Sequence, residues 1–73
     1  MYQIGDVLRG GMTGDLYAVS GKSKNGGFDL TKIWINPDHY RARNQSEGSV
    51  MRYYPSELRR MTLVGRNYQE KAK

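Results

Sequence analysis

The sequence predicts a small all-β fold, a barrel of five strands with one 3₁₀ turn before the last strand. Two observations lead to this prediction. Turn-forming glycine, asparagine and proline residues divide the 73 residues into short runs of strand-forming residues. No run carries an apolar stripe at helical spacing that is long enough for a packed helix. Closing the strands into a barrel would remove the unpaired edges of an open sheet.

The first two strands are separated by a glycine-rich loop. Residues 4–9 form the first predicted strand, in which Gly5-Asp6 makes a local turn. The loop over residues 10–14 leads into the second strand, residues 15–20, which alternates apolar side chains on both faces. A polar turn follows, and its Asn25-Gly26 pair is typical of a tight hairpin.

The third predicted strand, residues 28–36, is the richest in strand-forming residues. A bulge near Thr31-Lys32 would return Ile33 and Ile35 to the core side of the sheet. Trp34 would then point outward beside Lys32. An exposed tryptophan is costly to leave in water, so it more often marks a contact or a dimer interface.

The last part of the barrel contains the predicted 3₁₀ turn. A polar loop over residues 38–48 leads to the fourth strand, residues 49–54. The turn covers residues 55–58, because proline at the first helical position loses no hydrogen bond. Residues 61–64 form the closing strand. We expect one of the two tyrosines at 53 and 54 to fill the core and the other to be exposed.

The composition indicates one small domain and excludes several classes of protein. Residues 1–64 form the barrel, and residues 65–73 form a flexible basic tail. The chain has no cysteine and a single histidine, so neither a disulfide framework nor a metal site is expected, and no cofactor is expected either. No apolar run approaches the ~20 residues of a membrane helix, and no signal peptide is visible. We therefore expect a cytoplasmic protein that does not contact membranes.

The positive charge is confined to the second half of the chain. Residues 1–40 contain four cations and four acids, whereas residues 41–73 contain eight cations and three acids, which accounts for the net charge of +5. Six of those eight cations are arginine, which forms forked hydrogen bonds to phosphate or carboxylate and stacks on flat rings. This asymmetry favours an anionic partner. The simpler alternative is a solvated basic face that keeps the chain in solution.

Aromatic side chains lie among these arginines and suggest a binding surface. Such a mixture suits nucleic acid, because bases stack on rings while arginines contact phosphates. The candidate residues come from the third strand, the long loop, the fourth strand and the segment after the turn. They are Trp34, Tyr40, Arg41, Arg43, Arg52, Tyr54, Arg59 and Arg60.

Catalysis has little support in the sequence. His39 lies in the polar loop with no partner for proton transfer in evidence. Asp6 and Asp15 each follow a glycine at the start of a strand, where aspartate commonly caps a turn. The two Gly-Gly pairs precede no helix and so form no phosphate-binding loop. The sequence therefore predicts no catalytic residues and no enzymatic activity.

Three motifs resemble the SH3-like small barrels, including those of the KOW and Tudor type. Gly5-Asp6-Val7-Leu8 matches the opening of the first strand, and residues 14–19 match the glycine-led second strand. Residues 54–58 match the entry to the 3₁₀ turn, with Leu58 as its expected buried anchor. One enzyme with this fold, type II dihydrofolate reductase, carries a valine-glutamine-isoleucine-tyrosine run in its active-site strand. Here Met51-Arg52 replace the central pair, so the resemblance implies the fold and not the reductase activity.

Two functions remain open on this evidence. The first is a non-enzymatic barrel that binds nucleic acid, with RNA slightly favoured over DNA. The second is a protein-binding module, similar in style to bacteriophage accessory proteins, that docks on an acidic surface of a host enzyme and inhibits or redirects it. The same arginines and Trp34 would serve both, since binding hot spots favour Trp, Tyr and Arg. Homo-oligomerisation is compatible with either.

Overall fold

The structure is a computed structural model that describes residues 2–38 and 47–69. It consists of antiparallel strands and one short helix, so the prediction of an all-β protein is confirmed. The elements, in chain order, are β1 (Val7–Arg9), β2 (Leu16–Lys22), β3 (Phe28–Trp34), β4 (Val50–Tyr53), α1 (Pro55–Leu58) and β5 (Thr62–Gly65).

All five strands belong to one sheet, in the order β4-β3-β2-β1-β5. Consecutive strands pair from β1 to β4, and β5 returns to pair with the outer edge of β1. Among the described residues, the two ends of this order, β4 and β5, are edge strands that do not pair with each other. The sheet is therefore not closed by hydrogen bonds.

The helical turn lies at the predicted residues but is a single turn of α-helix, Pro55–Leu58. Proline occupies the first position of α1, where its missing N–H leaves no bond unmade. The carbonyl of Tyr54 accepts from the N–H groups of both Glu57 (2.8 Å) and Leu58 (3.1 Å), so three-residue and four-residue spacings coexist. The Glu57 carboxylate in turn accepts the Tyr54 N–H at 2.9 Å. These bonds cap the N-terminal end of the turn at Tyr54, and Leu58 at its other end is buried in the core.

The β2–β3 hairpin turns at the predicted Asn25-Gly26 pair. Ser23 N–H donates to the Gly27 carbonyl at 2.8 Å, and Gly26 N–H donates to the Ser23 carbonyl at 3.2 Å. Gly26 has a φ of 92°, a conformation that side chains with a Cβ rarely adopt. The Asn-Gly signal therefore located the turn correctly, although β2 continues two residues beyond the predicted end, to Lys22.

The core lies on one face of the sheet and is capped by α1. Leu8, Leu30 and Leu58 have no exposed surface, and Leu58 is the buried anchor that the sequence predicted. Tyr53 packs against this core while Tyr54 is exposed, as expected of the pair. The buried apolar cluster consists of Leu8, Tyr17, Val19, Phe28, Leu30 and Leu58.

Lys32 was expected to point outward, and that prediction is wrong. The irregularity in β3 lies one residue later than expected: Tyr17 pairs with Lys32 and Leu16 with Trp34, so Ile33 is the extra residue. Lys32 thus keeps the alternation of Phe28 and Leu30 and faces the core.

The position of the bulge also changes the place of Ile33 and Ile35. Both were expected in the core, and both are only half-buried. Ile33 instead lines the cavities on the face of the sheet that points away from the core. The exposed position of Trp34 agrees with the prediction.

A buried ion pair occupies the end of the core beside this bulge. Lys32 Nζ lies 3.4 Å from Asp15 Oδ2, and the two side chains are 3% and 0% exposed. The ammonium also lies 5.6 Å from the centre of the Tyr17 ring. Asp15 Oδ1 accepts the backbone N–H of Asn36 at 2.8 Å. Asp15, expected only to cap a turn, therefore ties β2 to β3 and to the segment that follows it.

Candidate nucleic-acid interface

The face of the sheet that points away from the core, called here the outer face, carries a row of three paired residues. Trp34 pairs with Leu16, and Leu16 pairs with Arg9, so one side chain from each of β3, β2 and β1 lies in line. Directly paired residues share a face, and neighbouring strands are about 4.8 Å apart. Arg9 and Trp34 are therefore about 10 Å apart at the backbone.

A groove of about 380 Å³ runs over this row. We call it the aromatic groove. Trp34 is 43% exposed and Tyr68 is 41% exposed, so the groove presents two accessible rings. Arg9 is also exposed and forms no ion pair with the described residues. The lining residues are Arg9, Gly14, Leu16, Ile33, Trp34 and Tyr68.

Tyr68 reaches the groove because the chain folds back after β5. Its backbone N–H donates to the carbonyl of Gly5 at 2.9 Å. Gly5 has a φ of 98°, and Asn67 has a φ of 62°, so both sides of this contact use the left-handed region. A Cβ at Gly5 would lie 3.4 Å from the Asn67 Cα. The contact thus depends on glycine at this position and holds Tyr68 over the outer face.

A second cavity of about 330 Å³ adjoins the aromatic groove and is called here the side pocket. Ile33 and Tyr68 line both cavities. Among the described residues, the side pocket has no arginine, and its lining adds the hydroxyl residues Ser20 and Thr31 and the acidic residue Glu47. Its other lining residues are Ile4, Ala18, Val19, Lys32 and Gly48. The Lys32 ammonium itself lies in the core beside Asp15.

Two of the predicted binding residues, Arg52 and Tyr54, lie together at the hairpin end of the sheet. Arg52 pairs with Asp29 across the strands, and its Nε lies 3.1 Å from the Asp29 carboxylate. The Tyr54 hydroxyl lies 3.5 Å from the amide nitrogen of Asn25. A Cβ at Gly27 would lie 3.0 Å from the Tyr54 ring and 3.2 Å from Arg52. Glycine at 27 therefore lets both side chains lie over the hairpin.

Trp34, also predicted to bind, lies far from Arg52 and Tyr54 in the structure. Asp29, opposite Arg52, precedes Trp34 by five positions in β3, which corresponds to about 16 Å of strand. Arg59 and Arg60 are both exposed and follow α1. The carbonyl of Arg60 packs against the glycine loop, since a Cβ at Gly11 would lie only 2.7 Å from it.

Three further predicted residues, Tyr40, Arg41 and Arg43, lie outside the described residues, as does His39.

The titration of Tyr53 reflects its partial burial. Burial raises the pKa of Tyr53 above its ordinary value of 10.0, and the charge of the neighbouring Tyr17 raises it further. The two rings meet edge to face with centroids 6.1 Å apart. Tyr53 is thus partly buried against the core and is not part of the binding surface.

Neither a metal-binding cluster nor a membrane-spanning helix is present among the described residues. Within residues 2–38 and 47–69 no three histidine, cysteine or acidic side chains are grouped closely enough to bind a metal. In the same residues no helix has the length and apolar character needed to cross a membrane.

Sequence reasoning missed Arg9, Tyr68 and Glu47. Arg9 was missed because the charge count directed attention to residues 41–73. Its alternation with the apolar Leu8 is the signal that could have identified it as facing away from the core. Tyr68 fell in the expected tail, and no local pattern shows that the chain returns to Gly5. Glu47 lies in the long polar loop, where the sequence does not reveal which side chains meet the sheet.

Comparison with known proteins adds no relative: no protein family, curated protein or solved structure matches this chain.

Proposed function

We propose that this chain is a non-enzymatic module that binds single-stranded nucleic acid, RNA ahead of DNA, on an SH3-like barrel. The observation that carries the proposal is the aromatic groove, where Trp34, Tyr68 and Arg9 line one cavity on the outer face. Two accessible rings and a cation in one groove are what unpaired bases and their phosphates require.

The fold part of the proposal rests on the order of the elements. Four strands pair consecutively, a helical turn follows β4, and β5 returns to β1. The motif at residues 5–8 leads into β1, and Leu58 anchors the turn in the core. These are the features on which the resemblance to SH3-like barrels depends.

Stacking of bases on the two rings would supply part of the free energy of binding. Trp34 and Tyr68 each keep about two fifths of their surface accessible, at 43% and 41%. Stacking of one base on an aromatic side chain contributes ~1–3 kcal/mol and tolerates any base. Leu16 and Ile33 add apolar side chains to the lining of the groove. The groove therefore suits two unpaired bases better than a stiff duplex.

Contacts between arginines and phosphates would supply the rest of the binding free energy. Arg9 lies in the groove, and Arg66 precedes Tyr68 with a side chain that is 60% exposed, 3.8 Å from Asp6. Burial of the Asp6 and Asp15 side chains removes two of the acids from the surface. The arginines at 52, 59 and 60 extend the positive surface beyond the groove, although Arg52 is paired with Asp29.

The test is titration of labelled single-stranded RNA, single-stranded DNA and duplex by fluorescence anisotropy over a salt series. Trp34 is the single tryptophan, so quenching of its fluorescence reports occupancy of the groove directly. We expect single strands to bind more tightly than duplex, with affinity that falls as salt rises because bound counterions are released. A dissociation constant weaker than ~10⁻⁴ M, or one independent of salt, would contradict the proposal.

A matched pair of variants locates the binding surface. Tyr68→Leu removes a ring from the groove, and Tyr54→Leu removes a ring of similar exposure (41% against 39%) beside Arg52. We expect Tyr68→Leu to weaken RNA binding ~5- to 150-fold, the equivalent of one stacked base. We expect Tyr54→Leu to have a much smaller effect. A loss confined to Tyr54→Leu would place the surface at the Arg52 end of the sheet instead.

The rival function is a protein-binding module of bacteriophage type that docks on an acidic host enzyme. Edge strand β5 favours it, because Leu63 and Val64 are exposed and uncharged between Arg60 and Arg66. A partner strand with acidic flanks could pair with such an edge. Affinity capture from a nuclease-treated lysate separates the two functions. A single protein retained after nuclease, with no RNA binding in the titration, would support the rival.

A further inference from the structure

The side pocket lies next to the aromatic groove and shares Tyr68 and Ile33 with it. A strand whose bases stack in the groove would therefore pass the mouth of the side pocket. Its volume of about 330 Å³ is near the lower end of the range for small-molecule sites, ~300–1,000 Å³. This size suits a single base rather than a longer segment.

Hydroxyl groups on its wall are oriented by their hydrogen bonds. Ser20 Oγ donates to the backbone carbonyl of Asp29 at 3.2 Å. That carbonyl can only accept, so the Ser20 proton is committed to it. The 2.9 Å bond between Thr31 Oγ1 and Ser20 Oγ must then use the Thr31 proton. Thr31 consequently presents only oxygen lone pairs to the pocket.

Glu47 adds a second acceptor. Its side chain is exposed, and it lines the pocket without an ion pair or hydrogen bond to any described residue. An ionised carboxylate has two oxygens that accept and none that donates. Its negative charge also repels phosphate, so this pocket suits the edge of a base and leaves the phosphates to Arg9 and Arg66. The Lys32 ammonium faces Asp15 in the core, so the Tyr68 hydroxyl is the one other side-chain donor among the described lining residues. The pocket therefore favours a ligand that brings hydrogen-bond donors.

On these grounds we propose that the side pocket binds a guanine base and makes the chain prefer RNA that contains guanine. Guanine is the one standard base whose Watson–Crick edge presents two adjacent donors, N1–H and the N2 amino group. These match the two oxygens of the Glu47 carboxylate, as the two donors of arginine do in a forked pair. Thr31 provides a further acceptor in the pocket. This inference rests on the proposed function, because the groove must first hold the strand.

The test compares ten-nucleotide RNAs that differ only at one central position. The reference is uridine throughout, and the others carry guanosine, adenosine, cytidine or inosine at the centre. A bidentate contact to a base discriminates by ~1–3 kcal/mol, so we expect the guanosine RNA to bind ~5- to 150-fold more tightly than the reference. Inosine lacks the N2 amino group and should bind between the two. Adenosine and cytidine should bind like uridine.

Two variants, each of which neutralises one acidic residue, separate recognition of the base from the general effect of charge on binding. Glu47→Gln removes a negative charge and leaves one acceptor, whereas Asp38→Asn removes the same charge from an exposed residue outside both cavities. Both variants should bind the uridine RNA slightly more tightly because repulsion of phosphate decreases. Only Glu47→Gln should abolish the preference for guanosine. Thr31→Val, which keeps the side-chain shape, should reduce that preference without changing binding of the uridine RNA.

The outcomes distinguish the inference from the proposed function. Salt-dependent binding of all five RNAs with equal affinity would overturn the guanine pocket and leave the single-strand function standing. A preference for guanosine that survives Glu47→Gln would also overturn it. Failure of every RNA to bind would overturn both.

Discussion

Replacing Lys32 by methionine removes the positive member of a buried ion pair and leaves the negative one in place. Asp15 is 0% exposed, and its Oδ2 would lose the ammonium that lies 3.4 Å away. Methionine is unbranched and fills a similar volume, so the main loss is electrostatic. Leaving a buried charge without its partner costs ~3–5 kcal/mol. A 73-residue domain at ~0.05–0.15 kcal/mol per residue has a total stability of ~4–11 kcal/mol.

We therefore expect Lys32→Met to lose a large share of the folding free energy. The assay is urea unfolding followed by circular dichroism. With a slope near ~1 kcal/mol per molar urea for a small domain, the midpoint should fall by ~3 M or more, or the variant should be unfolded without urea. Lys22→Met is the matched control, since Lys22 is exposed and no described residue forms an ion pair with it. That change should remain within ~0.5 kcal/mol.

The double variant Asp15→Asn with Lys32→Met tests the cause. Asparagine keeps an oxygen to accept the Asn36 N–H, now 2.8 Å from Asp15 Oδ1, and removes the buried charge. Replacing both partners of a buried pair is often nearly neutral, so the double variant should recover most of the stability. The reasoning would be refuted if Lys32→Met cost under ~1 kcal/mol, or if the double variant were no more stable than Lys32→Met alone.

Three further changes test the packing described above, each followed by urea or thermal unfolding. Leu58→Ala should destabilise the domain by ~2–5 kcal/mol because Leu58 is fully buried, whereas Leu63→Ala at the exposed edge should cost far less. Gly11→Ala should cost ~1–3 kcal/mol, because its Cβ would lie 2.7 Å from the Arg60 carbonyl; wild-type stability would contradict that contact. The folded state holds the Tyr53 proton to higher pH than the unfolded chain, so stability should fall as pH rises above 10.0, and Tyr53→Phe should weaken that fall.

The fold class could be predicted because local signals and pairing agree over most of the chain. Asn25-Gly26 determined the hairpin, and Pro55 with Leu58 marked the turn and its buried anchor. What could not be predicted is the exact position of a bulge. Moving the bulge by one residue exchanges the two faces of a strand, because side chains alternate with a period of two. That single shift explains both the burial of Lys32 and the outward position of Ile33.

The candidate site was harder to predict, because charge was counted along the chain while binding depends on the folded surface. The count treated residues 1–40 as neutral, yet two of their aspartates, Asp6 and Asp15, are buried and only Asp15 has a buried cation beside it. The exposed remainder of that half is thus more positive than the count implies, and Arg9 belongs to it. Conversely, Arg52 is paired with Asp29 at 3.1 Å, which reduces its attraction for a distant anion. Arg9 in the aromatic groove is therefore more available to a phosphate than Arg52 at the hairpin end of the sheet. This difference depends on strand pairing and burial, which a count of charges along the chain does not include.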